Sequence, residues 1–197
     1  RYSFTFSKII ELGDSSFICT GYSGAKTGWG KSVLLKFGKD RSIEWNKYVG
    51  IGSKEYYYPT YLTQKSNGRI VLIAERSIYY PDEMTPTRIS VFQVIYEIDE
   101  KTGATLKTSQ LSCDSIFGSV NIIPTTDKGF ITGNAKADSL TGQYLMHHGY
   151  ISKLDSNYSI VWDKKIVRSN GASHFNNIKQ LNDGNYLAVG ECINVDY

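Results

Sequence analysis

The chain has 197 residues, with 22 lysines and arginines against 19 aspartates and glutamates, which leaves a formal net charge of +3. No run of like charge is longer than a pair, so the sequence gives no electrostatic support for binding nucleic acid or anionic lipid. No apolar stretch approaches the roughly 18 residues of a membrane-spanning helix. The three cysteines, Cys19, Cys113 and Cys192, have neither metal-ligand spacing nor the density of a disulfide scaffold, and small, buried or half-buried positions are expected for them.

One short pattern occurs four times along the chain: an apolar run, a polar turn, and a strand that closes on a small residue. The copies cover residues 9–21, 61–74, 121–133 and 177–190 and close on Gly21, Ala74, Gly133 and Gly190. These closing residues lie 53, 59 and 57 positions apart. A period near 56 that contains only strands predicts the blades of a β-propeller.

In chain order, each of the first three hairpins is followed by a second one. Alternating residues predict third strands at 32–37, 94–99 and 149–155, and fourth strands at 42–47, 104–108 and 159–164. No segment has a sustained helical period, so no helix is expected. The predicted fold is all-β, with four-stranded antiparallel blades at about 4–50, 58–112 and 119–167 and the inner hairpin of a fourth at about 175–197.

Two of the outer turns carry a family resemblance. Residues 98–104, with Asp99 and the pair Thr102 and Gly103, resemble the turn of quinoprotein-dehydrogenase-like bacterial propeller repeats, and residues 154–162 resemble the variant found in secreted and surface-attached propellers. The resemblance implies an extracytoplasmic bacterial protein whose signal peptide is not part of this chain. Pyrroloquinoline quinone is bound in that family by a complete ring with a calcium site and a tryptophan floor, none of which this sequence shows, so no cofactor is predicted.

The number of blades is smaller than a closed ring needs. Three blades and half of a fourth are predicted, whereas closed propellers have at least four. The sequence therefore favours part of a larger ring, with the remaining blades supplied by the same polypeptide or by another chain.

The longer connections suggest where recognition takes place. Residues 22–31, 75–91 and 134–148 are predicted as long loops that share one rim with the links at 48–58, 109–119 and 165–176, and loops on a rigid scaffold commonly carry binding. Tyrosine and tryptophan suit such a surface because they offer a large contact area with a polar tip. The alternative is that the tyrosines form a small core among the loops. The candidate binding residues are Tyr22, Trp29, Tyr56, Tyr57, Tyr58, Tyr79, Tyr80, Tyr144, His148 and His174.

Other conspicuous residues are predicted to be structural. Trp45 and Trp162 occupy one repeat position, each with a lysine two residues later, which favours packing between blades. His147 and His148 are adjacent in a strand and should point to opposite faces, so they are not expected to share a metal. No catalytic residue and no metal site is predicted, because the sequence has no His-Glu-x-x-His, no Gly-x-Ser-x-Gly and no phosphate-loop motif.

Three functions remain open at this point. The leading hypothesis is a non-enzymatic binding or assembly module that presents its tyrosine-rich rim to a protein partner or a glycan. The first alternative is the propeller part of a carbohydrate-active hydrolase or lyase with catalytic residues partly outside this segment. The second is a purely structural subunit of a large surface complex.

Overall fold

The structure is a computed structural model that describes residues 3–24, 30–50, 55–79, 88–111, 116–141, 144–166 and 171–194. These residues form four antiparallel sheets and contain no helix, so the all-β prediction is confirmed. By internal contacts the chain divides into two compact units, Arg1–Gln110 and Leu111–Tyr197. The first holds sheets 1 and 2, apart from the last residue of sheet 2, and the second holds sheets 3 and 4.

Three sheets have four strands in sequential order, and the fourth has two described strands. Sheet 1 comprises β1 (Ser3–Glu11), β2 (Phe17–Gly24), β3 (Gly30–Phe37) and β4 (Ile43–Val49). Sheet 2 comprises β5 (Glu55–Gln64), β6 (Ile70–Tyr79), β7 (Arg88–Ile98) and β8 (Thr105–Leu111). Sheet 3 comprises β9 (Ile116–Pro124), β10 (Phe130–Thr141), β11 (Tyr144–Leu154) and β12 (Ile160–Ile166). Sheet 4 comprises β13 (Gly171–Gln180) and β14 (Tyr186–Asn194).

The inner hairpin turns of all four sheets have the same hydrogen bonds. In the first, Leu12 N–H donates to Ser16 O and Ser15 N–H donates to Leu12 O, and the turns that begin at Lys65, Thr125 and Leu181 repeat both bonds. The fourth residue of each turn has a positive φ. It is glycine at Gly68 and Gly184, where this backbone carries little steric cost.

An acidic or amide side chain stabilises each of these turns from within. Asp14, Asn67, Asp127 and Asp183 each accept a bond from the backbone N–H two residues later. This is the local bonding that makes Asp and Asn favourable turn residues. The predicted positions of the four inner turns therefore follow from turn chemistry.

The register of the hairpins corrects one detail of the predicted repeat. Gly21, Ala74 and Gly190 are each the fifth residue of their strand and pair across a bulge in the first strand. In sheet 3 the fifth residue of β10 is Asn134, so Gly133 is not the structural equivalent of the other three. The predicted alignment of sheet 3 is therefore one position out of register, because it was based on the small residue Gly133.

Where the structure describes them, the connections predicted as long loops are strand. β6 extends to Tyr79 and β7 begins at Arg88, while β10 and β11 remain paired as far as Thr141 and Tyr144. Likewise the link predicted at 48–58 includes the first four residues of β5. These parts of the ladders were missed because their side chains do not alternate between apolar and polar, which the prediction required.

Sheets 1 and 2 pack face to face within the first unit. In sheet 1 we call the side that carries Ile18, Leu34 and Trp45 the rear face, and the opposite side the front face. In each other sheet the rear face is the side that carries the residues at the equivalent positions. The rear face of sheet 1 shares one buried apolar cluster with Leu62 and Leu72 of the front face of sheet 2. The core of this unit therefore lies between two successive sheets.

Sheets 3 and 4 repeat that arrangement within the second unit. The Trp162 ring of sheet 3 lies 6.3 Å from the Tyr186 ring of sheet 4, and Thr126 N–H donates to Gln180 Oε1 at 3.0 Å. Ile178, on the front face of sheet 4, is buried. The prediction that Trp45 and Trp162 pack between repeats is confirmed for successive sheets by these contacts and by the position of Trp45 against the first cluster.

Candidate functional site

Three of the candidate tyrosines meet at one end of the first unit. Tyr22 of β2 is stacked on Tyr56 of β5, with ring centroids 6.5 Å apart and planes 11° apart. The ring centroids of Tyr22 and Tyr58 lie 6.1 Å apart. Tyr58 is 53% exposed, so this group of rings is open to solvent on that side. We call Tyr22, Tyr56 and Tyr58 the tyrosine cluster.

The fourth tyrosine of this region, Tyr57, has a structural position. Alternation along β5 turns it away from its neighbours, and it is buried. Its ring covers Gly50, which has a φ of +84° and where a Cβ atom would overlap the ring. Tyr57 therefore belongs to the core and not to the exposed surface, which is the alternative that the sequence left open for these tyrosines.

Glu55 and Arg76 form a charged pair on the side of sheet 2 that carries Tyr57. Glu55 accepts a bond from Tyr57 Oη at 2.6 Å and forms an ion pair with Arg76. Hydrogen bonding from Arg76 keeps the pKa of Glu55 below its ordinary value. The guanidinium of Arg76 lies 5.8 Å from the Phe92 ring and also donates to Gln110. These contacts connect β5, β6, β7 and β8 and hold the start of β5 in place beneath the cluster.

Of the other six candidates, one has a described side chain, three have a described backbone only, and two lie outside the described residues. His148 is half-buried in β11, where its residue pairs with Lys136. Tyr79, Tyr144 and His174 lie in β6, β11 and β13, so they are not loop residues, and their side chains fall outside the described part. Trp29 and Tyr80 lie outside the described residues altogether. The structure thus brings together three of the ten candidates.

A buried charge that the sequence analysis missed recurs on the third strand of each four-stranded sheet. Lys36, Glu97 and Lys153 each precede the last residue of their strand and are 3% to 6% exposed. The available signal was a charged residue next to the last apolar residue of the third strand in all three copies. A buried charge needs a partner, and each of the three has one.

The partners differ from sheet to sheet. Lys36 Nζ lies 3.0 Å from Glu100 Oε1 of sheet 2 and 3.2 Å from Glu44. Glu97 pairs with Lys65 at 2.8 Å and with Arg69 at 3.0 Å. Because each of these charges is buried and paired with an opposite charge, this position is structural.

In sheet 3 the buried charge at this position, Lys153, is held by the inner turn between β9 and β10. Lys153 Nζ lies 2.9 Å from Asp127 Oδ2 and donates to Leu154 O at 3.1 Å. Hydrogen bonds from Thr125 and Lys153 lower the pKa of Asp127 to about 2. This carboxylate therefore remains ionised in mildly acidic solution.

An open apolar groove crosses the front face of sheet 1. Phe6 and Ile9 of β1 form one wall, Phe37 and Ile43 form the other, and Cys19 lies on its floor. Burial raises the pKa of the Cys19 thiol to about 11, so this sulfur stays protonated and is a poor nucleophile near neutral pH. The groove has no acid–base pair on its walls and offers chiefly apolar contact.

Two further observations concern the described residues only. Their histidine, cysteine and acidic side chains include no group of three or more that could hold a metal ion. No helix that could cross a membrane occurs among them.

No protein-family model matches the sequence, and no curated protein matches it.

Proposed function

We propose that the chain is part of an extracytoplasmic bacterial β-propeller and acts as a non-enzymatic binding or assembly module, with the tyrosine cluster as its contact surface for a glycan or a protein. The observation that carries the proposal is the stacking of Tyr22 on Tyr56 beside the exposed Tyr58. Aromatic side chains clustered at a surface provide contact area with little loss of rotamer freedom.

The propeller assignment is supported by the repeated sheets. Each four-stranded sheet has its strands in sequential order, as a propeller blade does, and successive sheets within each unit pack rear face to front face. Trp45 and Trp162, at one repeat position, each contact the following sheet of their own unit, Trp45 at the carbonyl oxygen of Glu100 and Trp162 at the ring of Tyr186. Further blades, from the same polypeptide or another chain, would complete the ring.

The surroundings of the cluster favour binding because they are fixed before any ligand arrives. Tyr57 is packed on Gly50, and Ser32 Oγ donates to Tyr57 O at 3.0 Å, so β5 is tied to sheet 1 directly beside the cluster. A surface whose backbone is already ordered loses less conformational entropy on binding.

The test is a screen of the protein against an array of defined oligosaccharides, together with mass spectrometry of proteins that copurify with it from its source. The Tyr22→Ala, Tyr58→Ala double variant should lose at least about tenfold in affinity for whatever the wild type binds, because two aromatic contacts are removed. Because Tyr58 is exposed but Tyr22 is half-buried, circular dichroism and the urea midpoint of the double variant are measured to check that the fold is kept.

Tyr48→Ala provides the matched control. Tyr48 is 62% exposed on β4, borders the groove of sheet 1 and is not part of the cluster. Binding that is lost in both variants, or in neither, would contradict the assignment to the tyrosine cluster.

A further inference from the structure

We propose that the tyrosine cluster binds an arginine side chain of a protein partner, and that the carboxylate of Glu75 pairs with its guanidinium group. This inference rests on the proposed function and narrows it, because it favours a protein over a glycan and adds one residue to the contact surface. Every residue that carries it lies within the first compact unit.

Glu75 lies beside the cluster on the neighbouring strand. In the register of β5 and β6, Tyr58 pairs with Glu75 and Tyr56 pairs with Ser77. Residues directly opposite each other in an antiparallel ladder extend to the same side of the sheet, with Cβ atoms about 5 Å apart. The carboxylate of Glu75 therefore belongs to the side of sheet 2 that carries Tyr56 and Tyr58.

A hydrogen bond along β6 orients this carboxylate. Ser77 Oγ donates to Glu75 Oε1 at 3.3 Å, and Ser77 is itself buried. Because Ser77 pairs with Tyr56, the bond directs the carboxylate from the position beside Tyr58 towards the position beside Tyr56. A carboxylate has lone-pair sites for about four hydrogen bonds, so Glu75 can keep the bond from Ser77 while it accepts others from a ligand.

The opposite side of the same sheet shows what a carboxylate and an aromatic ring hold together. Arg76, the next residue of β6, forms an ion pair with Glu55 there, and its guanidinium carbon lies 5.8 Å from the centroid of the Phe92 ring. One guanidinium group is thus fixed within the sheet by these two kinds of contact. Tyr58 and Glu75 bring the same two kinds of group together on the side of the tyrosine cluster.

An arginine side chain suits this combination for chemical reasons. Its planar guanidinium stacks on aromatic rings, donates to both oxygens of a carboxylate, and is more weakly hydrated than an ammonium group. The cluster offers rings at two inclinations, since Tyr22 is nearly parallel to Tyr56 but tilted by 47° relative to Tyr58. Tyrosine and arginine are both enriched at the energetic centres of protein interfaces, which favours a protein partner over a glycan.

The test uses blocked pentapeptides of the form acetyl-Gly-Gly-X-Gly-Gly-amide, in which X is arginine, lysine or citrulline, the neutral isostere of arginine. NMR titration with the arginine peptide should shift the ring signals of Tyr22 and Tyr58, which the Tyr22→Phe and Tyr58→Phe variants identify. The arginine peptide should bind at least about fivefold more tightly than either of the others, because it alone combines the charge with a planar fork of donors.

A substitution of Glu75 separates the carboxylate from the rings. Glu75→Gln keeps an oxygen that can accept from Ser77 but removes the charge, so the preference for arginine over citrulline should fall below about twofold. Glu11→Gln is the matched control, because Glu11 is exposed and lies beside the inner turn, at the far end of the hairpin from Tyr22, and it should keep the full preference. Comparing two peptides on one variant makes the result insensitive to a modest change in stability.

The outcomes separate this inference from the proposed function. Equal affinity of the wild type for the arginine and citrulline peptides would overturn the inference, and so would an unchanged preference in Glu75→Gln. An arginine peptide that does not shift the rings of the cluster also overturns it, while a shift caused by an oligosaccharide would leave the proposed function standing. Ligand binding that survives in the Tyr22→Ala, Tyr58→Ala double variant would contradict the proposed function itself.

Discussion

Trp45 Nε1 donates a hydrogen bond of 3.0 Å to the carbonyl oxygen of Glu100, which joins the fourth strand of sheet 1 to the outer turn of sheet 2. The side chain of the same glutamate accepts a bond from Lys36, so one turn receives both a ring and a buried ammonium group from the preceding sheet. A Cβ atom on Gly103, within this turn, would come within 2.9 Å of the Trp45 ring and of Lys47. The turn and the rear face of sheet 1 therefore fit closely.

The first prediction concerns this contact. Trp45→Phe keeps an aromatic ring in place but removes the donor to Glu100, so the free energy of unfolding should fall by about 1–2 kcal/mol. Trp162→Phe is the matched control at the same repeat position, and because Trp162 is 39% exposed, its loss should be below about 1 kcal/mol. Urea unfolding of both variants measures the difference. Equal losses would contradict a specific role for the bond from Trp45.

The second prediction concerns the buried ammonium group of Lys153. Asp127→Asn removes its charged partner while keeping a side chain that can form the turn, and the loss should be about 1–3 kcal/mol because Lys153 is left buried without an anion. Lys153→Met should cost less, since Asp127 is exposed and can be solvated by water. The double variant should be close to Lys153→Met alone, giving a non-additive cycle. Additive losses would show that the two groups do not interact.

The third prediction concerns the close approach of the same lysine to the turn. A Cβ atom on Gly129 would overlap the carbonyl oxygen of Leu154 and Nζ of Lys153, so Gly129→Ala should destabilise the protein by about 1–3 kcal/mol. Gly13→Ala is the control in another inner turn, because a Cβ there meets nothing within 4 Å. Thermal unfolding of the two variants should therefore separate them. Similar midpoints would contradict the packing described around Lys153.

The turns and strands could be predicted because their causes are local. Asp or Asn at a fixed place in each inner turn, between short apolar runs, is enough to locate these turns and the parts of β1, β2, β13 and β14 that adjoin them. The outer ends of β10 and β11 could not be predicted, because residues such as Lys136 and Thr141 lie in a ladder with no apolar alternation. Backbone pairing extends these strands, and it leaves no pattern in the sequence.

The candidate site was predictable only in part. Alternation along β5 separates Tyr57 from Tyr56 and Tyr58, but which side is buried depends on Gly50 and its left-handed backbone. The sequence therefore predicted the tyrosine-rich region without distinguishing core from surface. The apolar groove of sheet 1 was not predicted at residue level, because Ile9 has the same apolar character as Leu62 and Ile178, which are buried at the corresponding positions of sheets 2 and 4.

The fourth prediction is that stability falls at both ends of the pH range. Asp127 has a folded pKa of about 2, below its unfolded value, so its contribution is present above the unfolded pKa and is lost as the pH falls through about 4 towards 2. Burial raises the pKa of Cys19 to about 11 and that of Tyr96 to about 12, so their contributions are present below the unfolded values and are lost as the pH rises from about 9 towards 12.

Urea midpoints measured from pH 2 to pH 11 check both limbs. Asp127→Asn should flatten the acid limb and leave the alkaline limb unchanged, whereas Cys19→Ser should reduce the alkaline limb. A midpoint that improves on acidification below about pH 4 would contradict the assignment of Asp127.

Electron microscopy of the protein purified from its source tests the central claim most directly. If the sheets are propeller blades, averaged images should show a closed ring around a central axis, with successive sheets packed rear face to front face as in the two units described. Images of an extended or irregular particle, with no sheets arranged around an axis, would contradict the propeller account.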